Sequence, residues 1–422
     1  MIDWTTIKNE YMNLLQDDFL PYWKQYDDTE HGGVLNCISN DGTKLISEDK
    51  FSWSQGRYVW MLAETLELAE QGLLPRVNPE EVREALERSR AFARQCISDD
   101  HRVYYLLDRA GNPKPEPGTG ELHASIFSDT FIIIGLANAM RVTGSTEDLE
   151  ALTKLYASVV DRIRSNSFLT VPYAIPEGYE SHSIPMILLN TSVEYARALE
   201  NAAPEQTDAI RLADETAATC AKKIENTFLN KEMGLLREYV STAENYEERL
   251  QDRHVNPGHA IEDVWFLLDQ AERADTQSVM LAWTKDVART SWKLGWDSEH
   301  GGLLRYVDKD GGKPQGTTSG SQFEDLISDT WDTKLWWPHS EALYTFLRLY
   351  SLTGEAEDAE IYLRSHEYIF RTFPDPVHGE WIQIRDRQGN PQEKVVALPV
   401  KDPFHVVRNF ALIINLAASM ES

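Results

Sequence analysis

Apolar positions along the chain recur at helical spacing in long segments separated by short polar, glycine-rich breaks. Tyr58, Val59, Leu62, Leu66 and Ala69 form one such set, and Ala342, Leu343, Phe346, Leu347 and Tyr350 another. Each spacing predicts a helix that buries one stripe. The breaks resemble one another. Asp27-Asp28-Thr29-Glu30-His31-Gly32-Gly33-Val34-Leu35 leads to Asn40-Asp41-Gly42, and Asp297-Ser298-Glu299-His300-Gly301-Gly302-Leu303-Leu304 leads to Asp308-Lys309-Asp310-Gly311. Weaker copies begin at Asp99 and Asp375, and a partial one runs from Asn230 to Leu236. Each reads as a short hairpin closed by Gly, Asn or Asp turns.

A unit repeated at this interval holds two helices and one hairpin, and a repeat of that size marks a stacked or closed array. Five copies, with a degenerate sixth near Ser165–Tyr179, predict about twelve helices in an all-α (α/α)6 barrel with short β-hairpins in its connections. An open helical solenoid is the competing architecture. No Pro/Ser-rich linker or change of composition divides residues 1–422, which favours a single domain.

Charge narrows the partners. The 422 residues carry 41 Lys and Arg against 68 Asp and Glu, a net charge of −27 that repels phosphate backbones and anionic lipid headgroups. Neither nucleic acid nor a membrane surface is expected as a partner. The amino terminus mixes acids with polar residues where a signal peptide needs a basic start and an apolar stretch. The apolar runs around Phe131–Met140 and Ala411–Met420 are about half the ~20 residues a bilayer requires. Three cysteines without CxxC spacing fit a reducing compartment. A cytoplasmic protein is the expectation.

Candidate chemistry centres on two histidines in matched contexts. Asn256-Pro257-Gly258-His259 and Asp402-Pro403-Phe404-His405 both read as cap, proline, any residue, histidine, which places each imidazole in the first turn of a helix. The positive end of a helix disfavours imidazolium, so both rings are expected to lean neutral and basic. Glu262 and Arg408 follow three residues later on the same faces. A carboxylate there suits fixing a tautomer, and a guanidinium suits holding a sugar oxygen or an ordinary surface pair.

Two segments interleave tryptophan with polar groups as sugar sites do: Phe51–Arg57, with Trp53, Gln55 and Arg57, and Leu335–Glu341, with Trp337 and Glu341. Trp60 and Trp265 read as core. No phosphate-cradling loop, GxSxG elbow or HExxH zinc helix occurs, so neither a metal nor a cofactor is expected.

These stretches resemble the N-acylglucosamine 2-epimerase family over nearly the whole chain. The likeness runs from His31-Gly32-Gly33 through Trp53–Met61, Ile184–Asn190, Asn256–Glu262, Leu335–Ala342 and Asp375–Trp381 to Phe404–Arg408. It implies an (α/α)6 barrel and interconversion of N-acyl-D-glucosamine and N-acyl-D-mannosamine through an enediolate, with His259 and His405 removing and returning the C2 proton. Aldose–ketose isomerisation of the mannose–fructose type is the alternative. The family's motif residues fall on Arg57, His259, Glu262, Glu341 and His405. Arg57 would hold the developing oxyanion, Glu262 would orient His259, and Glu341 would bind a hydroxyl or assist ring opening. Trp53, Gln55, Trp337 and Arg408 complete the expected monosaccharide site. The disaccharide-acting branch carries a histidine three residues before a glutamate where this chain has Thr191 before Glu194, which points away from disaccharides. Dimers are common in the family, so a homodimer is compatible with the resemblance. Two other classes compete: an inverting glycoside hydrolase with Glu341 and Asp129 as nominal acid and base, and a non-catalytic partner-binding protein suggested by the family's renin association.

Overall fold

The computed structural model describes residues 2–242, 249–396 and 398–421. Twelve long helices carry the architecture. We number them α1 (Trp4–Leu14, continued by a π-helical turn Leu15–Phe19 and by Leu20–Lys24), α2 (Ser52–Glu70), α3 (Pro79–Gln95), α4 (Ile126–Thr143), α5 (Leu149–Arg164), α6 (Ser183–Ala202), α7 (Thr207–Lys223), α8 (Pro257–Arg273), α9 (Gln277–Gly295), α10 (Trp336–Thr353), α11 (Ala356–Thr372) and α12 (Phe404–Glu421). Two short helices, Leu250–Arg253 and Gln322–Thr330, are additions that the repeat pattern did not show.

The even-numbered helices are buried on nearly every side, whereas α3, α5, α7, α9 and α11 bury one stripe each. Burial of this kind separates an inner ring from an outer one. The inner helices contact in the order α2, α4, α6, α8, α10, α12 and back to α2, and each packs chiefly on the outer helix paired with it, with α12 resting on α1. This is the closed ring of helical hairpins that an (α/α)6 barrel requires, and an open solenoid is excluded by the contact of α12 with α2. The closest approach in the ring is between α2 and α4. A Cβ on Gly56 would lie 2.2 Å from the Phe131 carbonyl oxygen, and one on Gly135 would lie 2.2 Å from that of Gly56.

Short bridges close the predicted hairpins at Asp27–Val34, Ile97–Val103, Trp296–Leu303 and Pro374–Trp381, and Leu229–Asn230 pairs with Leu235–Leu236. The degenerate sixth unit differs. Thr170 bridges back to Ser125, and Tyr179–Ser181 pairs with Tyr239–Ser241 from the next unit. The first apolar run lies within α4, whose 18 residues, Ile126–Thr143, are on average long and apolar enough to span a bilayer even with Asp129 and Arg141 among them. Here 78% of that helix is buried inside the ring.

Candidate active site

All six inner helices direct their first turns at one cavity of about 260 Å³. Trp53 and Arg57 come from α2, Phe127 and Phe131 from α4, Met186 and Ile187 from α6, His259 and Glu262 from α8, Trp337 from α10, and His405 and Arg408 from α12. Connections between helices close the sides with Tyr173, Tyr239, Tyr306 and Phe323. The volume falls below the roughly 300–1,000 Å³ usual for drug-sized ligands, which suits a single sugar ring better than a polymer.

The two matched histidines share this cavity and flank one indole. Trp337 lies 5.2 Å from the His259 ring and 5.5 Å from the His405 ring, centroid to centroid. Asn256 caps α8 through the His259 amide, and Asp402 accepts from the Phe404 amide at the start of α12. The cap motif thus positions both rings as the sequence indicated.

Each ring rests on a buried carboxylate through Nδ1. His259 Nδ1 lies 2.9 and 3.0 Å from the two oxygens of Glu238. His405 Nδ1 lies 2.7 Å from Glu341 Oε1. A carboxylate only accepts, so both Nδ1 atoms carry hydrogen and each Nε2 is the ring position left to take or give a proton. At His405 a second contact agrees: the Arg57 guanidinium, which can only donate, places Nη2 3.2 Å from Nε2. Arg57 is itself held by an ion pair with Asp402 and lies 4.0 Å from the Phe131 ring centroid.

Several expectations are corrected by these contacts. Glu262 does not orient His259. Its Oε1 pairs with Arg408 and lies 3.6 Å from His405 Nδ1. Glu341 is fully buried, where it accepts from His405, from Arg408 Nη2 at 2.7 Å and from Trp265 Nε1 at 2.9 Å, leaving it no hydroxyl to bind. Arg408 reaches the cavity wall, but these two carboxylates occupy its Nη2. Gln55 points away from the cavity, and its amide accepts from the Val34 N–H at 2.8 Å and donates to the Val34 carbonyl at 3.0 Å. Asp129, the nominal second carboxylate of a hydrolase, is buried elsewhere against Arg162 and the Val103 amide. The expectation that both rings lean neutral does not hold at His259. Burial disfavours the imidazolium of His259, yet Glu238 outweighs it and raises the ring above its ordinary value. Burial likewise pushes the Glu238 carboxyl up, and the His259 ring bonded to it brings it down to about 2. Burial opposes ionisation of Glu341 as well, and Arg408 with His405 holds it well below the usual carboxylate range.

Ligand atoms of Glu262, Glu341 and His405 lie within 4.8 Å of one another, a spacing a metal ion would accept. The Arg408 guanidinium already bonds both of these carboxylates, so a cation stands in that position. Sequence reasoning missed Glu238 and Asp402 as partners of the site. It also placed Trp265 in the core without its bond to Glu341.

The model of the N-acylglucosamine 2-epimerase (GlcNAc 2-epimerase) family matches residues 33–408. The chain belongs to that family. Membership makes the protein a carbohydrate epimerase of the isomerase class. Among curated relatives of this epimerase, the N-acylglucosamine 2-epimerase of Bos taurus is 29% identical over 402 residues, covering 94% of this chain and 88% of its own. Among solved structures, cellobiose 2-epimerase from Bacillus thermoamylovorans B4167 superposes with a TM-score of 0.76 at 17% identity, covering 98% of this chain and all (100%) of its own. A D-mannose isomerase superposes at 0.70 with 16% identity, covering 97% and 98%. These structures agree with the epimerase in fold.

Proposed function

We propose that this epimerase interconverts N-acyl-D-glucosamine and N-acyl-D-mannosamine, one of His405 and His259 removing the C2 proton of the open-chain sugar and the other delivering a proton to the opposite face. One observation carries the reading: two imidazoles border one monosaccharide-sized cavity, each with Nδ1 on a buried carboxylate, which leaves Nε2 to exchange the proton. Removal of a proton beside an aldehyde leaves a planar enediolate, and inversion at C2 then needs a proton donor on the opposite face. Two bases are the smallest set that meets this requirement. The developing oxyanion is stabilised by Arg57 and by the six helix amino termini that converge on the cavity. Trp53 and Trp337 offer apolar faces to the sugar ring. The curated relative's substrate name supports the acylamino sugar.

The test is incubation of N-acetylmannosamine in deuterated water, followed by NMR. The expected product is N-acetylglucosamine carrying deuterium at C2. Product without solvent deuterium would overturn the two-base route. A ketose formed from mannose, with no epimer from the acylamino sugar, would assign the site to aldose–ketose isomerisation instead.

A further inference from the structure

The bridged hairpins set one side chain each at an equivalent point. Just after the bridge, an amide donates back across the turn: Leu35 to the Tyr26 carbonyl, Tyr104 to Cys96, Arg237 to Phe228, Leu304 to Gly295 and Ile382 to Phe373. The next residues are Asn36, Tyr105, Glu238, Arg305 and Gln383, and all of them are buried. Glu238 and Arg305 reach the cavity wall. The repeat thus brings a carboxylate to the cavity from one connection and a guanidinium from another.

The carboxylate has a partner of opposite charge within the protein, since both its oxygens turn to His259. The guanidinium does not. Arg305 has 7% of its surface exposed, yet among the described residues it makes no ion pair. Its Nη1 donates to the Thr330 hydroxyl at 3.0 Å and its Nη2 to the Val396 carbonyl at 2.9 Å. The other arginines of the wall are matched, Arg57 by Asp402 and Arg408 by Glu262 and Glu341. Buried arginines away from the cavity follow the same rule: Arg90 pairs with Asp148, Arg289 with Asp358 and Arg348 with Asp269. Arg385 bonds the carbonyls of Gly389 and Phe373, and although burial disfavours its charge, Tyr368, Asp375 and Asp386 work against that.

The loss of water around a buried guanidinium is offset chiefly by an opposite charge in contact with it. Neither phenol beside Arg305 supplies one. Burial raises Tyr306 and Tyr173 above their ordinary values while Arg305 opposes the rise, so both stay neutral at pH 7. The Tyr306 ring centroid lies 5.0 Å from the Arg305 Cζ, and the Tyr173 hydroxyl donates to the same Val396 carbonyl at 3.4 Å. The side chain is not needed to hold its own connection either, because the Arg305 amide donates to the Thr333 carbonyl and the Tyr306 amide to that of Trp331, each at 3.1 Å.

We propose that Arg305, framed by Tyr173 and Tyr306, is an anion subsite in the cavity wall, separate from both histidines and from the carboxylates behind them. Its planar fork suits an oxyanion with two adjacent oxygens. Such a group arrives as the carboxylate of an acidic sugar or as a free inorganic oxyanion. The sugar-borne case extends the epimerase reading to acidic sugars and rests on it, whereas the free anion does not. The net charge of −27 is no obstacle, since exposed charges are screened beyond about 8 Å at physiological salt and a contact with a buried guanidinium is not.

Trp53 and Trp337 line the cavity, so binding is read by tryptophan fluorescence without turnover. The probes are N-acetylglucosamine, its C6 carboxylate analogue N-acetylglucosaminuronate, and sulfate. The wild-type enzyme should bind the acidic sugar at least about tenfold more tightly than the neutral one, as a charge-assisted pair requires, and sulfate should compete with it. Arg305→Gln should reduce that ratio at least about tenfold and abolish competition by sulfate, and Arg305→Lys, which keeps the charge without the fork, should restore part of both. Melting curves of each variant check that it is folded. Sulfate bound through Arg305 without preference for the acidic sugar would assign the subsite to a free anion. An unchanged ratio and unchanged sulfate binding in Arg305→Gln, or no anion binding to the wild type, would overturn the proposal and leave Arg305 as a clamp on Thr330 and Val396. Failure of the epimerase reading shows separately, as absence of C2 exchange in deuterated water.

Discussion

Glu341→Gln separates two ways in which a carboxylate can serve His405. The native side chain accepts from His405 Nδ1 and Arg408 Nη2 at Oε1 and from Trp265 Nε1 at Oε2. An amide has only one accepting end. If the amide oxygen faces His405 and Arg408, two donors are satisfied and one N–H clash remains at Trp265. The opposite orientation leaves Arg408 facing an N–H and forces the proton of His405 onto Nε2, where it meets the Arg57 N–H, two clashes that also remove the base. Two against one decides for the first orientation. The tautomer is then retained, and what is lost is the charge that stabilises the His405 imidazolium as it forms. Loss of one positioned stabilising group costs about 10²–10³ in kcat, whereas a flipped tautomer costs about 10⁴ in the analogous triad substitution. The expected value is the smaller one.

The orphaned indole N–H supplies an independent check. Leaving a buried donor unpaired costs about 1–3 kcal/mol, so adding Trp265→Phe to Glu341→Gln should recover about that much stability without recovering rate. The assays are kcat by NMR of the epimer ratio and denaturant unfolding of wild type, both single variants and the double variant. Activity within tenfold of wild type would refute Glu341 as the charge partner of His405. A double variant no more stable than Glu341→Gln would refute the orientation.

Two further outcomes are expected. Gln55→Leu should leave kcat and KM unchanged but cost about 2–4 kcal/mol in unfolding experiments, because the Val34 amide and carbonyl both lose their buried partner; a raised KM at unchanged stability would return Gln55 to the substrate site. Burial pushes the Asp28 carboxyl up, but Arg109 and Lys50 hold it well below the usual range. Its folded value is therefore depressed, and the stabilisation is complete above the unfolded value of about 3.9 and lost as the pH falls through the folded one. Melting curves should show the gap between wild type and Asp28→Asn narrowing below about pH 4; a gap that is constant from pH 7 to 3 would contradict this.

The sequence exposed what is encoded locally. Matched cap–proline–x–histidine strings place two rings in first turns whatever else the chain does, and the hairpin signature sets the repeat. Where side chains turn sideways or reach across the ring, local patterns mislead. Trp53 and Arg57 are four residues apart and share a face of α2, but Gln55 between them is about 200° away from Trp53 around the axis and meets Val34 instead. Glu262 stands one turn from His259, the usual place for a partner, yet Arg408, 146 residues distant, takes it. Glu238 lies 21 residues before His259 in an irregular connection, with no periodic pattern to select it. The helix end was also outweighed. Its field contributes about 0.3–1 kcal/mol, less than a buried carboxylate in direct contact with the ring.

The hairpin signature marks the repeat in the sequence, and the geometry gives it a purpose beyond closing turns. Asp28 accepts from the Glu30 and His31 amides and pairs with Lys50, whose ammonium also donates to the Gly32 carbonyl at 2.7 Å. Asp297 repeats the arrangement with the Glu299 and His300 amides and with Lys334, which donates to the Gly301 carbonyl. Lys401 does the same with Glu380 and the Trp381 carbonyl at 2.6 Å. All three lysines are buried and stand just before an inner helix: Lys50 before Arg57, Lys334 before Trp337, Lys401 before His405. A buried ammonium bonded to a carboxylate and a turn carbonyl fixes the entry of its helix, since any shift would leave the charge unpaired. The aspartates and glycines of the repeat thus act at a distance. They hold three helix starts in register, and the side chains within the next two turns meet in one cavity as a consequence.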